Sequence, residues 1–232
     1  MVNKIRFFQY ISLCVLGVLF LSFQVQAGVG LSQTRIIING DTNTASISAR
    51  NNNAQPYLVS NFITEKLDTS SPPLSGMFVI TPNIFRLAPE SENTIKIQII
   101  PTNLPKDRES LYYFHSRNIP STNKNEDGIK IAMENIIKVF YRPINLAINP
   151  KEAGDKLVVK ATPNGISIEN PTPYYINLFK ITVKNETIKL NKINNMIEPF
   201  SSKNYVVSNK TGAVNIHISN DLGGESVYNK KL

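Results

Sequence analysis

Seven short runs that are apolar or alternate in polarity occupy the chain from residue 33 to residue 141, several of them ending at Gly or Pro. That rhythm is what most narrows the possible folds. Residues 33–39 end at Gly40-Asp41, residues 45–49 set Ser46 and Ser48 on a polar face, and residues 56–64 make a third run. Residues 78–80 lead into Thr81-Pro82, where proline bends or ends a strand. Residues 94–100 alternate cleanly, with Ile95, Ile97 and Ile99 on one face and Lys96 and Gln98 on the other. Residues 111–114 and 129–141 complete the set. No stretch keeps the helical apolar period for long, so the chain reads as all-β. Seven strands in roughly 115 residues is the size of one immunoglobulin-like sandwich.

Arg142-Pro143 and Asn149-Pro150 then interrupt the pattern, and Lys151-Glu152-Ala153-Gly154-Asp155 is polar. A second strand set follows at 157–161, 165–169, 174–183, 186–190, 205–207 and 213–219. The expected division is a leader at 1–27, one sandwich at 28–146 and a second at 147–232.

The leader is read from Lys4 and Arg6, an uncharged and nearly continuous apolar run over 10–23, and the small residues in Val25-Gln26-Ala27. This pattern predicts a secretory signal peptide cleaved after Ala27, with the mature chain in a bacterial periplasm. The run is short against the roughly 20 apolar residues of a membrane-spanning helix. Cys14 is the single cysteine and leaves with the leader, so the mature chain must be held by core packing rather than disulfides. The formal charge of +8 falls to +6 without Lys4 and Arg6. The lysines are scattered, with no Arg-rich stripe or basic helix, and export argues against a nucleic-acid partner.

Catalytic groups are scarce. His115 and His217 have no cysteine beside them, so Cys/His zinc spacing cannot be built. Neither a nucleophile elbow nor a Gly-rich phosphate loop occurs. No metal, no cofactor and no enzymatic activity are expected. His217, between Ile216 and Ile218, reads as an outward-facing strand residue, and the sequons at Asn185 and Asn209 mark surface turns. A structural fibre subunit and a secreted β-scaffold enzyme are the competing classes. The first usually has one incomplete domain, and the second needs groups this chain lacks.

The most informative stretch is Leu104-Pro105-Lys106-Asp107-Arg108-Glu109-Ser110-Leu111-Tyr112-Tyr113-Phe114. Ile119-Pro120, Ile137-Lys138-Val139-Phe140-Tyr141-Arg142-Pro143, Ile168-Glu169-Asn170-Pro171-Thr172-Pro173-Tyr174-Tyr175 and Asn220-Asp221-Leu222-Gly223-Gly224 follow it in order. Together they resemble the periplasmic pilus chaperones of the chaperone–usher pathway, over essentially the whole mature chain. The family usually carries Asn and an apolar residue where this chain has His115-Ser116. The short 119–129 link and the missing cysteines are similar to the short-loop branch.

The resemblance implies two immunoglobulin-like sandwiches in a boomerang with an interdomain cleft. It implies as partners pilus subunits that lack a strand and an outer-membrane usher; an apolar edge left bare is itself a reason to expect self-association when client-free. The edge strand lent to the client would carry Ile129, Ile131 and Met133, which share one face of an alternating run. Arg35 and Lys138 match the family's cleft cations for the client's terminal carboxylate, and Glu109, Arg142 and Asp221 match its structural interdomain network. Alternation puts Lys138 opposite the three apolar residues. Either a bulge intervenes near Asn135, or cation and apolar residues reach different sides of the cleft.

Overall fold

The computed structural model describes residues 28–67, 71–101, 103–121, 129 and 131–232. The leader, Cys14 and the expected cleavage site lie outside the described residues, as does most of the 119–129 link. Among the described residues, no helix is long and apolar enough to cross a membrane.

The first half contains nine strands: β1 (Val29–Leu31), β2 (Arg35–Asn39), β3 (Thr44–Asn51), β4 (Tyr57–Thr64), β5 (Phe78–Thr81), β6 (Ile84–Leu87), β7 (Ser91–Ile99), β8 (Ser110–Pro120) and β9 (Met133–Arg142). They form two sheets, ordered β1-β3-β7-β5 and β2-β9-β8-β4-β6. Alternation explains why the sheets face one another. Ile95, Ile97 and Ile99 of β7 are buried while Lys96 and Gln98 are exposed, and the inward residues meet Ile36, Ile38, Val59, Phe114 and Val139 from the other sheet. Each such side chain stabilises the fold by about 1.5–3 kcal/mol through burial. β5 ends at Thr81, and the Thr81–Pro82 peptide is cis.

The second half begins with a 3₁₀ helix at Pro150–Lys156, followed by β10 (Val158–Thr162), β11 (Gly165–Asn170), β12 (Ile176–Val183), β13 (Glu186–Ile188), β14 (Met196–Ile197), β15 (Ser201–Val206), β16 (Ala213–Ser219) and β17 (Glu225–Lys231). The sheets are β10-β11-β15 and β13-β12-β16-β17, with β14 added beside β12. Ile166, Ile168, Ile181, Val183, Val214 and Ile216 fill a separate core. The molecule is therefore two β-sandwiches, as expected. The polar run around Lys151 is more than a connector. Asn149 caps it by accepting from the Lys151 amide at 3.0 Å, and Ala153 and Gly154 are buried. Gly154 must lack a side chain, because a Cβ there would lie 2.3 Å from the Tyr228 ring.

β9 is the element that positions the site. It pairs with β8 along its full length and with β2, in parallel, only from Lys138 to Arg142. The expected strand over 129–141 is thus corrected at its start: Ile129 and Ile131 precede the strand, which opens at Met133. Among the described residues they have no strand partner to impose extended geometry on them.

Candidate functional site

Arg35 on β2 and Lys138 on β9 are direct register partners, so the two cations stand side by side on the sheet face that meets the second sandwich. Lys138 Nζ donates to Asn177 Oδ1 on β12 at 2.5 Å. Arg35 donates to the Ser219 backbone carbonyl on β16 at 3.3 Å and also to the Ser219 hydroxyl. Neither cation has a carboxylate partner within salt-bridge distance among the described residues, and Arg35 Nε is buried with no hydrogen-bond partner. Burial, then the neighbouring Arg35 charge, pulls the Lys138 pKa from 10.5 down to about 8. Burial also lowers that of Arg35, against the more distant charges of Asp221 and Glu109. Two desolvated cations with only neutral partners form a site that an anion would stabilise. A carboxylate suits it, since guanidinium offers a planar fork and ammonium a compact charge.

The apolar residues lie on the other side. The β8–β9 register runs without a shift from Ser110↔Tyr141 to Asn118↔Met133, so no bulge intervenes near Asn135. Met133 therefore shares its face with Ile137, Val139 and Tyr141, which pack in the first core, while Lys138 points the opposite way. Beyond that core the face is bare: Ile129, Ile131 and Met133 are 93%, 69% and 59% exposed. On the β2 side no described strand pairs with β9 between Met133 and Ile137; the nearest contact is Asn135 Nδ2 donating to the Val29 carbonyl at 2.8 Å. An apolar, half-open edge thus runs directly up to the two cations.

The third group joins the sandwiches. Arg142 Nε donates to Glu109 Oε1 at 2.8 Å, and its two terminal nitrogens reach Asp221 at 2.8 and 3.0 Å. Its guanidinium lies 5.1 Å from the centre of the Tyr174 ring. Glu109 also accepts from the Tyr175 amide at 2.9 Å, and the Glu109 amide donates to the Pro173 carbonyl. Burial works to raise the Glu109 pKa against Arg142 and the Tyr175 amide. Burial likewise opposes the Arg142 charge, but its bonds to Asp221 and Glu109 outweigh that and hold its pKa above the usual value. Among the described residues, no cluster of His, Cys, Asp or Glu is arranged to hold a metal.

Comparison with known proteins decides the family. Residues 28–147 match the family described as pili and flagellar-assembly chaperone, PapD N-terminal domain, and residues 152–230 match pili assembly chaperone PapD, C-terminal domain. The chain belongs to the pilus-assembly chaperone family. It is 30% identical to the chaperone protein PapD of Escherichia coli over 213 residues, covering 90% of this chain and 88% of that protein. The Salmonella enterica SafA pilin in complex with the SafB chaperone is similar at a TM-score of 0.76 and 29% identity, covering 88% and 96% of the two chains. The periplasmic chaperone SfaE is similar at a TM-score of 0.71 and 27% identity, covering 88% and 98%. These relatives are chaperones rather than enzymes, and so is this chain.

Sequence reasoning missed several residues of the chaperone's site. Asn177 and Ser219, the acceptors for the two cations, sit inside ordinary strand patterns that nothing distinguishes. A second bridge between the sandwiches is the Arg108 guanidinium, 4.8 Å from the Phe200 ring centre. His115, where the sequence leaves the family pattern, is buried in β8 and stacks on Phe62 at 4.6 Å. Its Nε2 is 2.9 Å from Thr64 Oγ1, whose own proton goes to the Lys66 carbonyl. Nε2 must therefore be the protonated nitrogen, leaving Nδ1 unpartnered 3.6 Å from Glu134. Glu134 also pairs with Arg117 at 3.2 Å. Burial holds the His115 pKa below 6.5, against the pull of Glu134. His217 lies on β16 as expected, with Nδ1 2.5 Å from Glu225.

Proposed function

We propose that this chaperone captures pilus subunits in the periplasm by donor-strand complementation and hands them to an outer-membrane usher. The observation that carries the reading is the half-open β9 edge, with Ile129, Ile131 and Met133 bare at one end and Arg35 with Lys138 at the other. A subunit missing a strand exposes unpaired backbone groups and an apolar groove, and both promote aggregation. β9 offers backbone pairing to the first and apolar side chains to the second. The client's terminal carboxylate binds Arg35 and Lys138, fixing which donor residue meets which pocket. Glu109, Arg142 and Asp221 set the angle between the sandwiches and do not touch the client.

The same reading gives the mature chain its start at Gly28, a donor-carrying domain over 28–146 and a second domain over 147–232. Without client the bare apolar edge favours pairing with a second copy. The test is co-expression with secreted proteins encoded beside this chain. A client should co-purify with it in a one-to-one complex, and the exported protein should begin at Gly28 by mass spectrometry. Recovery of the chaperone with no such partner, while those proteins stay soluble without it, contradicts the proposal.

A further inference from the structure

A cavity of about 420 Å³ opens beside Arg35 and runs between the 3₁₀ helix and the turn after β16. It is separate from the open half of β9 at residues 133–137: Phe140, Ile176 and Ile218 line it together with Tyr174, Tyr175 and Tyr228. Its volume is that of a pocket for a small molecule or a large side chain. The carboxylates on its wall, Glu109 and Asp221, are both engaged by Arg142, so the cavity carries no free acid. Two cations also line it: Lys151 of the 3₁₀ helix, which is exposed, and Arg35 at one end, whose Nε is buried and unpartnered.

Leu222 stands at the mouth and is 97% exposed. Its turn is rigid. Asn220 Oδ1 accepts from the amides of Leu222 and Gly224 at 3.1 and 2.9 Å, and the Asn220 amide donates to the Gly224 carbonyl at 2.8 Å. Gly223 has a φ of +83° and packs so closely on Thr34, next to Arg35, that a Cβ would lie 2.5 Å from the Thr34 hydroxyl. Leu222 is therefore held out over the cavity, where water is a poor neighbour for it.

We propose that this cavity receives the side chain of the client's last residue and selects apolar or aromatic ones. The inference rests on Arg35 and Lys138 anchoring the client's carboxylate. A terminal residue carries its side chain on the carbon next to that carboxylate, so an anchor at Arg35 delivers the side chain to the cavity wall. Phe140, Ile218 and the tyrosine rings give it an apolar lining, to which Leu222 adds at the mouth.

The test uses synthetic peptides sharing one alternating apolar sequence and ending in Phe, Leu, Gly or Asp, each as free acid and as amide. Binding to the intact chaperone is read by fluorescence anisotropy. The acids ending in Phe and Leu should bind at least about tenfold tighter than the one ending in Gly, as expected for burying a large apolar side chain. The one ending in Asp should bind more weakly than those ending in Phe or Leu, because Lys151, the other cation on the wall, stands exposed to water. Leu222→Ser, at a fully exposed position, should shrink the Phe-over-Gly preference several-fold with an unchanged melting temperature. Equal binding of the Phe, Leu and Gly acids, with every amide weaker, overturns the pocket and leaves the anchor standing. Amides that bind as well as acids overturn the anchor instead.

Discussion

If Lys138 holds a client carboxylate, client capture must weaken in mild alkali, and the structure fixes where. In the free protein burial and Arg35 hold the Lys138 pKa at about 8. A bound carboxylate favours the charged form and raises that pKa, so binding takes up protons. The lysine is about nine-tenths charged at about pH 7 and one-tenth charged at about pH 9, so affinity should fall about tenfold across that interval. The sign follows from that rise: the contribution is nearly full at about pH 7 and is lost as pH climbs through about 8. Calorimetry near pH 8, in buffers of different ionisation enthalpy, should report uptake of about half a proton per peptide carboxylate. Lys138→Arg should bind with a flat profile, because guanidinium stays charged across the range. Lys138→Met should bind at least about tenfold more weakly at neutral pH, since a charge-assisted bond worth roughly 1.5–3 kcal/mol is lost. A flat wild-type profile, or the same slope in Lys138→Arg, would refute the assignment of the titrating group.

Three further outcomes are expected. Arg142→Ala leaves Glu109 buried and unpaired, so chemical denaturation should show a loss of about 3–5 kcal/mol, partly recovered in the Glu109→Gln double variant; a loss below about 1 kcal/mol contradicts the network's role. Ile131→Ser and Met133→Ser should abolish client capture while changing folding stability by only about 0.5 kcal/mol, because both residues are largely exposed; unfolding of the first sandwich would place them in its own core. Because His115 has a depressed pKa in the folded state, the unfolded chain binds more protons just below pH 6.5, and stability falls on acidification. His115→Asn should flatten that decline, followed by melting temperature against pH.

Much of this was legible because buried sheets impose a period of two. Ile95, Ile97 and Ile99, or Ile216 and Ile218, announce both a strand and its inner face. The pattern failed where burial is one-sided or polar. β8 continues six residues past the apolar run through His115, Ser116 and Asn118, polar groups that are nonetheless buried. β17 escaped notice because it is an edge strand whose exposed positions carry Glu225, Asn229 and Lys231. β1, β6 and β14 are too short to show a period. At the site, family resemblance picked out Arg35, Lys138 and the Glu109–Arg142–Asp221 trio, which the fold brings together from β2, β9, the residue just before β8 and the turn after β16. Asn177 and Ser219 could not be found that way, since their role arises only when two separately folded sandwiches meet.

Client binding should turn the β9 edge into an inner strand. Hydrogen exchange, compared between the client-free chaperone and a co-purified chaperone–client complex, tests it at the backbone amides themselves. New protection should concentrate at residues 129–137, with β17, an edge strand of the second sandwich, unchanged. Protection appearing along β17 while residues 129–137 exchange as before would contradict it.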